Sequence, residues 1–173
     1  MENKKGVPLV KEIFKGRYTV QSDEPFVLFL IGLRVNKLWA VHKWLPVARA
    51  MFPMMTELYT NEELGFLDSE VILYWRGIGV VQYWRSFELL ERYAHMEKHL
   101  KAWQDFHRKV GLNSDVVGIW HETYLIEPGK FETLYGNMPH FGLGKALKDR
   151  HVQTKGPRHE TAYSRVHGHD KEQ

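Results

Sequence analysis

A strand, helix, hairpin, helix, strand order can be read along the chain, with an almost continuously apolar stretch from Phe26 to Val35 and an amphipathic stretch from Phe87 to Val110. Together these predict an α+β fold, the split βαβ unit of a ferredoxin-like sandwich. Two helices cover only one face of such a sheet. The aromatic content, 13% of 173 residues, lies largely within the periodic segments, so the other face needs a cover of its own. A second subunit laying its sheet against the first supplies one, which makes the expected assembly a homodimer.

The first twenty-five residues end in Asp23, Glu24 and Pro25 and read as a lead-in with one short strand around Arg17 to Val20. FVLFLIGLRV, residues 26–35, is rich in branched and aromatic side chains and has the pattern of a buried central strand. Asn36 caps a turn over Lys37 to Val41. Pro46, with no amide proton, suits the first turn of a helix over Val47 to Leu58, where Val47, Met51, Met54, Met55 and Leu58 share a face. The methionines read as adaptable core filling. Glu62 to Asp68 is a connection, Glu70 to Trp75 a strand, Arg76-Gly77 a tight turn and Gly79 to Trp84 the returning strand of a hairpin.

Ser86 is a good N-cap and Gly111 a good stop for one long helix between them. On its wheel Leu89, Tyr93, Met96, Leu100, Trp103 and Val110 form an apolar face, with His107 inside it and Arg92 and His99 at one edge. Val116 to Leu125 alternates as a last core strand, which sends His121 and Glu122 to opposite faces. KFETLYGNM adds an edge strand, and GNMPHFGLGKAL a glycine-punctuated loop or short helix able to close a pocket. The expected organisation is thus a lead-in at 1–25, a domain at 26–147 and a polar, His-rich tail at 148–173, whose His159, His167 and His169 read as solvent-exposed.

Bulk properties exclude several classes. The length suits one domain, and no apolar run approaches a membrane span. The formal charge of +3 is small, and the aromatics are not interleaved with a dense basic stripe, so nucleic acid is not an expected partner. There is no cysteine, hence no disulfide framework, thiolate nucleophile or thiolate metal ligand; with no signal-peptide pattern at the start, a cytoplasmic location is expected. GIGVV lacks the pattern of a phosphate loop, and neither a dinucleotide fingerprint nor a G-x-S-x-G elbow is present. His95 and His99 are four apart, but Glu97 is displaced from the place of a zincin base, so no metal site is expected.

The candidates for chemistry are therefore ionisable groups close to aromatic ones. Arg85, beside Trp84 at the end of the hairpin, can hold an anion or orient a carbonyl; its structural use is to satisfy carbonyls or pair with Glu88 or Glu122. His99 and Trp103 are spaced to meet one ligand. His107 reads either as a satisfied core residue or as an acid/base facing a cavity, and one of His121 and Glu122 faces inward.

QYWRSFELLERYAHMEKHLKAWQDFHRKVG, VVGIWHETYLIEPGKFETLYGNMPHFGLGKA and, earlier, RVNKLWAVHKWLPVARAM resemble a family of monooxygenase-like proteins with a dimeric α/β-barrel fold. The similarity runs from about Arg17 to Ala146 and leaves out the tail. It implies a ferredoxin-like protomer, a homodimer and a relation to enzymes that oxygenate hydrophobic metabolites without a classical cofactor. It directs attention to Arg34, Asn36, Trp84, Arg85, His99, Trp103, His121 and Tyr124. In the function expected from residues and resemblance together, a histidine, His99 or His121, deprotonates a small apolar or phenolic substrate and Arg85 or Asn36 stabilises the oxyanion. Arg34, Trp84, Trp103, His107 and Tyr124 position it. No cofactor is required; the alternative is a protein that holds haem, through His99 or His107, or another hydrophobic metabolite without turnover. A third reading is a structural homodimer with its cavity filled by side chains.

Overall fold

A computed structural model of the chain describes residues 11–111 and 114–154, with Ala162 and Val166 beyond them. Its elements are β1 (Phe14–Val20), β2 (Phe26–Val35), α1 (Val41–Thr60), a 3-10 turn at Glu62–Leu64, β3 (Phe66–Tyr74), β4 (Gly77–Trp84), α2 (Phe87–Ala94), α3 (Glu97–Lys109) and β5 (Val117–Ile126). Then follow β6 (Tyr135–Met138), α4 (Leu143–Ala146), a 3-10 turn at Lys148–Arg150 and β7 (His151–Gln153). Residues 22–131 form one compact unit, and the described residues on either side of them a second.

The larger unit has the expected ferredoxin-like α+β fold: a four-stranded antiparallel sheet in the order β3-β4-β2-β5, with α1, α2 and α3. Strand β2 is central, as its continuous apolar run requires, pairing with β4 from Val27↔Trp84 to Arg34↔Gly77 and with β5 from Phe26↔Ile126 to Val35↔Val117. Because successive strand residues alternate in direction, Val27, Phe29, Ile31, Leu33 and Val35 turn one way and Leu28, Leu30 and Arg34 the other. Two cores form on the first face. Val27, Leu58, Leu64, Phe66, Trp84, Leu90 and Tyr93 pack at one end, and Leu33, Val35 and Val117, under Trp44, Val47, Phe106 and Val110, at the other. Phe29 and Ile31 lie between.

Three elements differ from their sequence patterns. Helix α1 starts six residues earlier than expected, so Pro46 and Pro53 both lie inside it. Each removes one helical hydrogen bond, but His42 and Arg49, whose carbonyls lose a donor, are exposed residues. The long second helix is two helices: Ser86 caps α2 by accepting from the Leu89 amide (3.4 Å), and Met96, with ψ of 151°, breaks the chain before α3. His95 closes α2, its amide on the Glu91 and Arg92 carbonyls and its ring Nδ1 2.8 Å from the Glu91 oxygen, while Met96 turns into the core. In the hairpin, Trp75 and Arg76 make the turn, Arg76 taking the left-handed conformation (φ 65°). Gly77 is the first residue of β4, where an added Cβ would collide with the Leu33 carbonyl and the Tyr74 ring.

The smaller unit holds a three-stranded sheet in the order β6-β1-β7. The strand expected within KFETLYGNM therefore pairs with β1, at Arg17↔Gly136 and Tyr18↔Tyr135, and is not an edge of the larger sheet. The first residues of the expected polar tail are also ordered, with Val20↔His151 and Tyr18↔Gln153. The His151 ring explains this: it stacks on Tyr18 (4.9 Å) and meets Phe14, Tyr135 and His140. His159, His167 and His169 lie outside the described residues. Among the described residues no helix is long and apolar enough to cross a membrane.

Candidate functional site

The gap between the two cores is an open cavity of about 480 Å³, within the size range of small-molecule sites. Its floor is the helix-facing side of the sheet: Phe29 and Ile31 from β2, Gln82 and Trp84 from β4, Ile119, His121 and Thr123 from β5. Val47, Met51, Met54 and Met55 of α1, Leu90 and Tyr93 of α2, and His99, Trp103 and Phe106 of α3 make the opposite wall. Met51 and Met54 line the chamber, and Met55 both lines it and packs against the first core.

His99 stands at the edge of the Tyr93 ring, with centroids 5.8 Å apart. Burial pushes its imidazole below the ordinary 6.5, His95 adds to the fall, and a hydrogen bond with the Ala94 backbone opposes it. Near neutral pH the ring is therefore uncharged and can accept a proton. His121 approaches the cavity from the sheet, tilted against Phe29 at 5.8 Å. Tyr93 is a further titratable group of the wall, which also takes in Glu91, His95 and Asp105. Burial, with the Glu57 carboxylate second, raises its phenol to about 12, so it stays protonated; its hydroxyl donates to the Met54 carbonyl at 3.4 Å. Glu57 is itself paired with Lys98 across α1 and α3 at 2.7 Å.

Of the residues singled out from the sequence, His99, His121, Trp84 and Trp103 meet at this cavity. The others are placed elsewhere. His107 packs edge-on against Trp103 (4.6 Å) and is not among the lining residues. Arg85 is exposed and donates to the Glu62 carbonyl (2.9 Å), which corresponds to its structural use. Asn36 follows the end of β2, its amide bonded to the Val116 carbonyl (2.8 Å) and its own carbonyl accepting from Arg76 (2.6 Å). Arg34 and Tyr124 belong to the opposite face of the sheet, where Tyr124 donates to Glu122 at 2.6 Å; that bond raises the Tyr124 phenol. Among the described residues no group of three or more His, Asp or Glu side chains converges as a metal site.

Two wall residues escaped the sequence reading. Tyr93 belongs to the apolar face expected of the helix, and Gln82 lies within the strand expected over Gly79 to Trp84 without being singled out. The signal for Gln82 was its register: Val80, Gln82 and Trp84 alternate inward, and all three are buried.

Fold and site together define a ferredoxin-like α+β protein with an apolar, ligand-sized chamber and an uncharged imidazole in its wall. The family is more specific. The sequence model of the family described as Monooxygenase af470-like matches residues 26–143, and the chain belongs to that family. Monooxygenase af470 of Aspergillus fumigatus is 24% identical over 157 residues, an alignment that takes in 78% of this chain and 55% of that protein. This chain thus spans about half the length of its relative. Among solved structures, an aldoxime dehydratase in complex with butyraldoxime superposes with a TM-score of 0.61 at 16% identity, over 81% of this chain and 41% of that one. SnoaB of Streptomyces nogalater, a cofactor-independent oxygenase, gives 0.41 at 10% identity, over 57% of this chain and 90% of that one. At such identities the likeness is one of fold.

Proposed function

We propose that the cavity is the active site of an oxygenase that acts on a small, mostly apolar, phenolic substrate and uses no cofactor. One observation carries this reading: an uncharged His99 opens on an apolar chamber that also receives His121 and the Gln82 amide. The family membership supports it. In the proposed reaction His99 accepts the proton of the substrate hydroxyl at a bare ring nitrogen. The phenolate passes one electron from a ring carbon to O2, and the two radicals join in a C–O bond. The peroxide takes the proton back from His99. Loss of the ring C–H proton and cleavage of the O–O bond then release one water and leave a quinone carbonyl, so the substrate supplies all four electrons. Trp103 confines the ring system from the helix side, and Trp84 supports the floor from within the core.

Arg34 and Tyr124 then belong to another task. The outward face of the sheet, with Leu30, Ile72, Tyr74, Trp120 and Tyr124, is the surface on which we propose a second copy of the chain sits, as the family resemblance implies.

Oxygen uptake with 1-naphthol and larger hydroxyarenes tests the enzyme. His99→Gln is expected to lose about 100-fold or more in turnover, and unchanged turnover would overturn the assignment. Arg85→Ala, whose guanidinium is held on Glu62, is expected to matter little; a loss equal to that of His99→Gln would bring Arg85 into the site. A Soret band in the purified protein would point instead to His99 as an axial haem ligand, and a retained organic molecule without oxygen uptake to a binding protein.

A further inference from the structure

Gln82 is buried in the middle of the cavity floor, 4% exposed, and its two amide ends face different surroundings. The Trp84 indole Nε1 lies 3.0 Å from Gln82 Oε1. An indole N–H only donates, so the amide oxygen must be the atom that faces it; the reverse orientation would set two donors against each other. Trp84 cannot turn away, because it has no exposed surface and is enclosed by Phe66 (5.6 Å) and Tyr93 (5.6 Å). The orientation of the amide is thus imposed by packing, and its NH2 group is turned towards Met55, a residue of the cavity wall. There Nε2 has two hydrogens and one contact among the described residues, the Met55 sulfur at 3.6 Å, a weak acceptor. A buried N–H without a good acceptor is costly, and the space in front of it is where a ligand would sit.

We infer that Gln82 selects what the cavity holds: its amide donates to an acceptor oxygen, a carbonyl or a phenolate, on an otherwise apolar ring system, and Trp84 is the positioning residue that aims it. This rests on the reading of the cavity as the binding site and narrows it, because an apolar chamber alone would prefer a plain hydrocarbon. An oxygen held at Gln82 is also one whose negative charge an N–H dipole stabilises, which favours phenolate over phenol in the proposed reaction.

Two probes of the same shape separate the claims: 1-tetralone, whose oxygen only accepts, and tetralin, which lacks it. Dissociation constants are measured by calorimetry on the wild type, Gln82→Met and Gln82→Glu. Gln82→Met keeps the volume and removes the donor; Gln82→Glu keeps an acceptor for Trp84 and, measured at a pH high enough to ionise the buried carboxyl, replaces the donor by a second acceptor. Comparing the ratio of the two constants between wild type and variant cancels the difference in hydration of the probes. The ratio is expected to shift about tenfold towards tetralin in Gln82→Met, further in Gln82→Glu, with tetralin affinity in Gln82→Met near that of wild type. In the wild type the side-chain amide resonance of Gln82 is expected to move with tetralone and not with tetralin, a readout that needs no folded variant. Trp84→Phe, which frees the amide to rotate, is expected to shift the ratio in the same direction by less. If both probes bind but neither the ratio nor the amide resonance responds to the oxygen, Gln82 is a structural amide and the inference fails while the cavity stands. If neither probe binds, the reading of the cavity fails with it.

Discussion

Trp84 on β4 and Trp120 on β5 belong to one sheet but to its opposite faces, and are held by opposite means. Trp84 turns to the helices, has no exposed surface and is enclosed by Phe66 and Tyr93. Trp120 turns away and is 37% exposed. Its indole lies flat over Gly32, where an added Cβ would come within 2.9 Å of the ring, and its Nε1 donates to the Tyr74 hydroxyl (2.8 Å), which in turn donates to the Leu33 carbonyl (2.6 Å). One tryptophan is placed by burial and the other by a glycine floor and a hydrogen-bond relay. The helix-facing side is a packed interior that leaves a gap, whereas the outward side carries exposed aromatic side chains, Trp120 and Tyr124 among them.

The largest expected effect separates those two tryptophans. Trp84→Ala removes a fully buried indole from the main core and is expected to cost about 3–5 kcal/mol in a denaturant melt. Trp120→Ala is expected to cost about 1 kcal/mol in the protomer but to halve the native mass at micromolar concentration in sedimentation, if a second copy covers that face. Equal melts and unchanged mass would erase the distinction between the faces.

A smaller effect tests the glycine floor. Gly32→Ala puts a methyl against Trp120 and 2.8 Å from the Ile78 carbonyl, and is expected to lose about 1–3 kcal/mol. Gly118→Ala, with no atom of the described residues other than its chain neighbours within 4 Å of the added Cβ, is the control and is expected to leave the melt unchanged. Loss in both would mean that the strands, and not the indole, demand glycine.

The smallest effect is one of pH and sharpens the account of the cavity side. Because burial lowers the His99 pKa from 6.5, the folded chain binds that proton less readily than the unfolded one. Its contribution to stability is then complete above pH 6.5 and is lost as pH falls through the lower, folded value. His99→Gln is expected to reduce the slope of stability against pH in that acidic window. A residual slope should remain, because burial and His140 lower the His151 pKa in the smaller unit in the same direction. An identical slope in the variant would show that His99 is not buried as described.

Much of this was legible residue by residue. The apolar run of β2, the Ser86 cap and the opposed directions of His121 and Glu122 all depend on neighbours within a few positions, and each is present in the structure. The candidate site was half legible for the same reason. Helical spacing brought His99 and Trp103 together, and strand alternation set His121 and Glu122 on opposite faces without deciding which turns inward. Arg34 and Tyr124 were grouped with them through a family resemblance that does not distinguish the two faces of a strand, and Arg85 through proximity in sequence to Trp84, although its side chain is taken up by Glu62.

What the amino-acid sequence determined by itself is therefore the element order, the faces of each strand and the aromatic character of both faces, since these follow from periods of two and 3.6 and from local caps. Tertiary structure alone decided where the two cores stop short of meeting, that the chain breaks at Met96 so that α3 can set His99 over the gap, that β7 pairs with β1, and which end of the Gln82 amide faces Trp84. Those outcomes depend on contacts between residues distant in sequence, where the volume left over and the single orientation of a buried donor are properties of the packed whole.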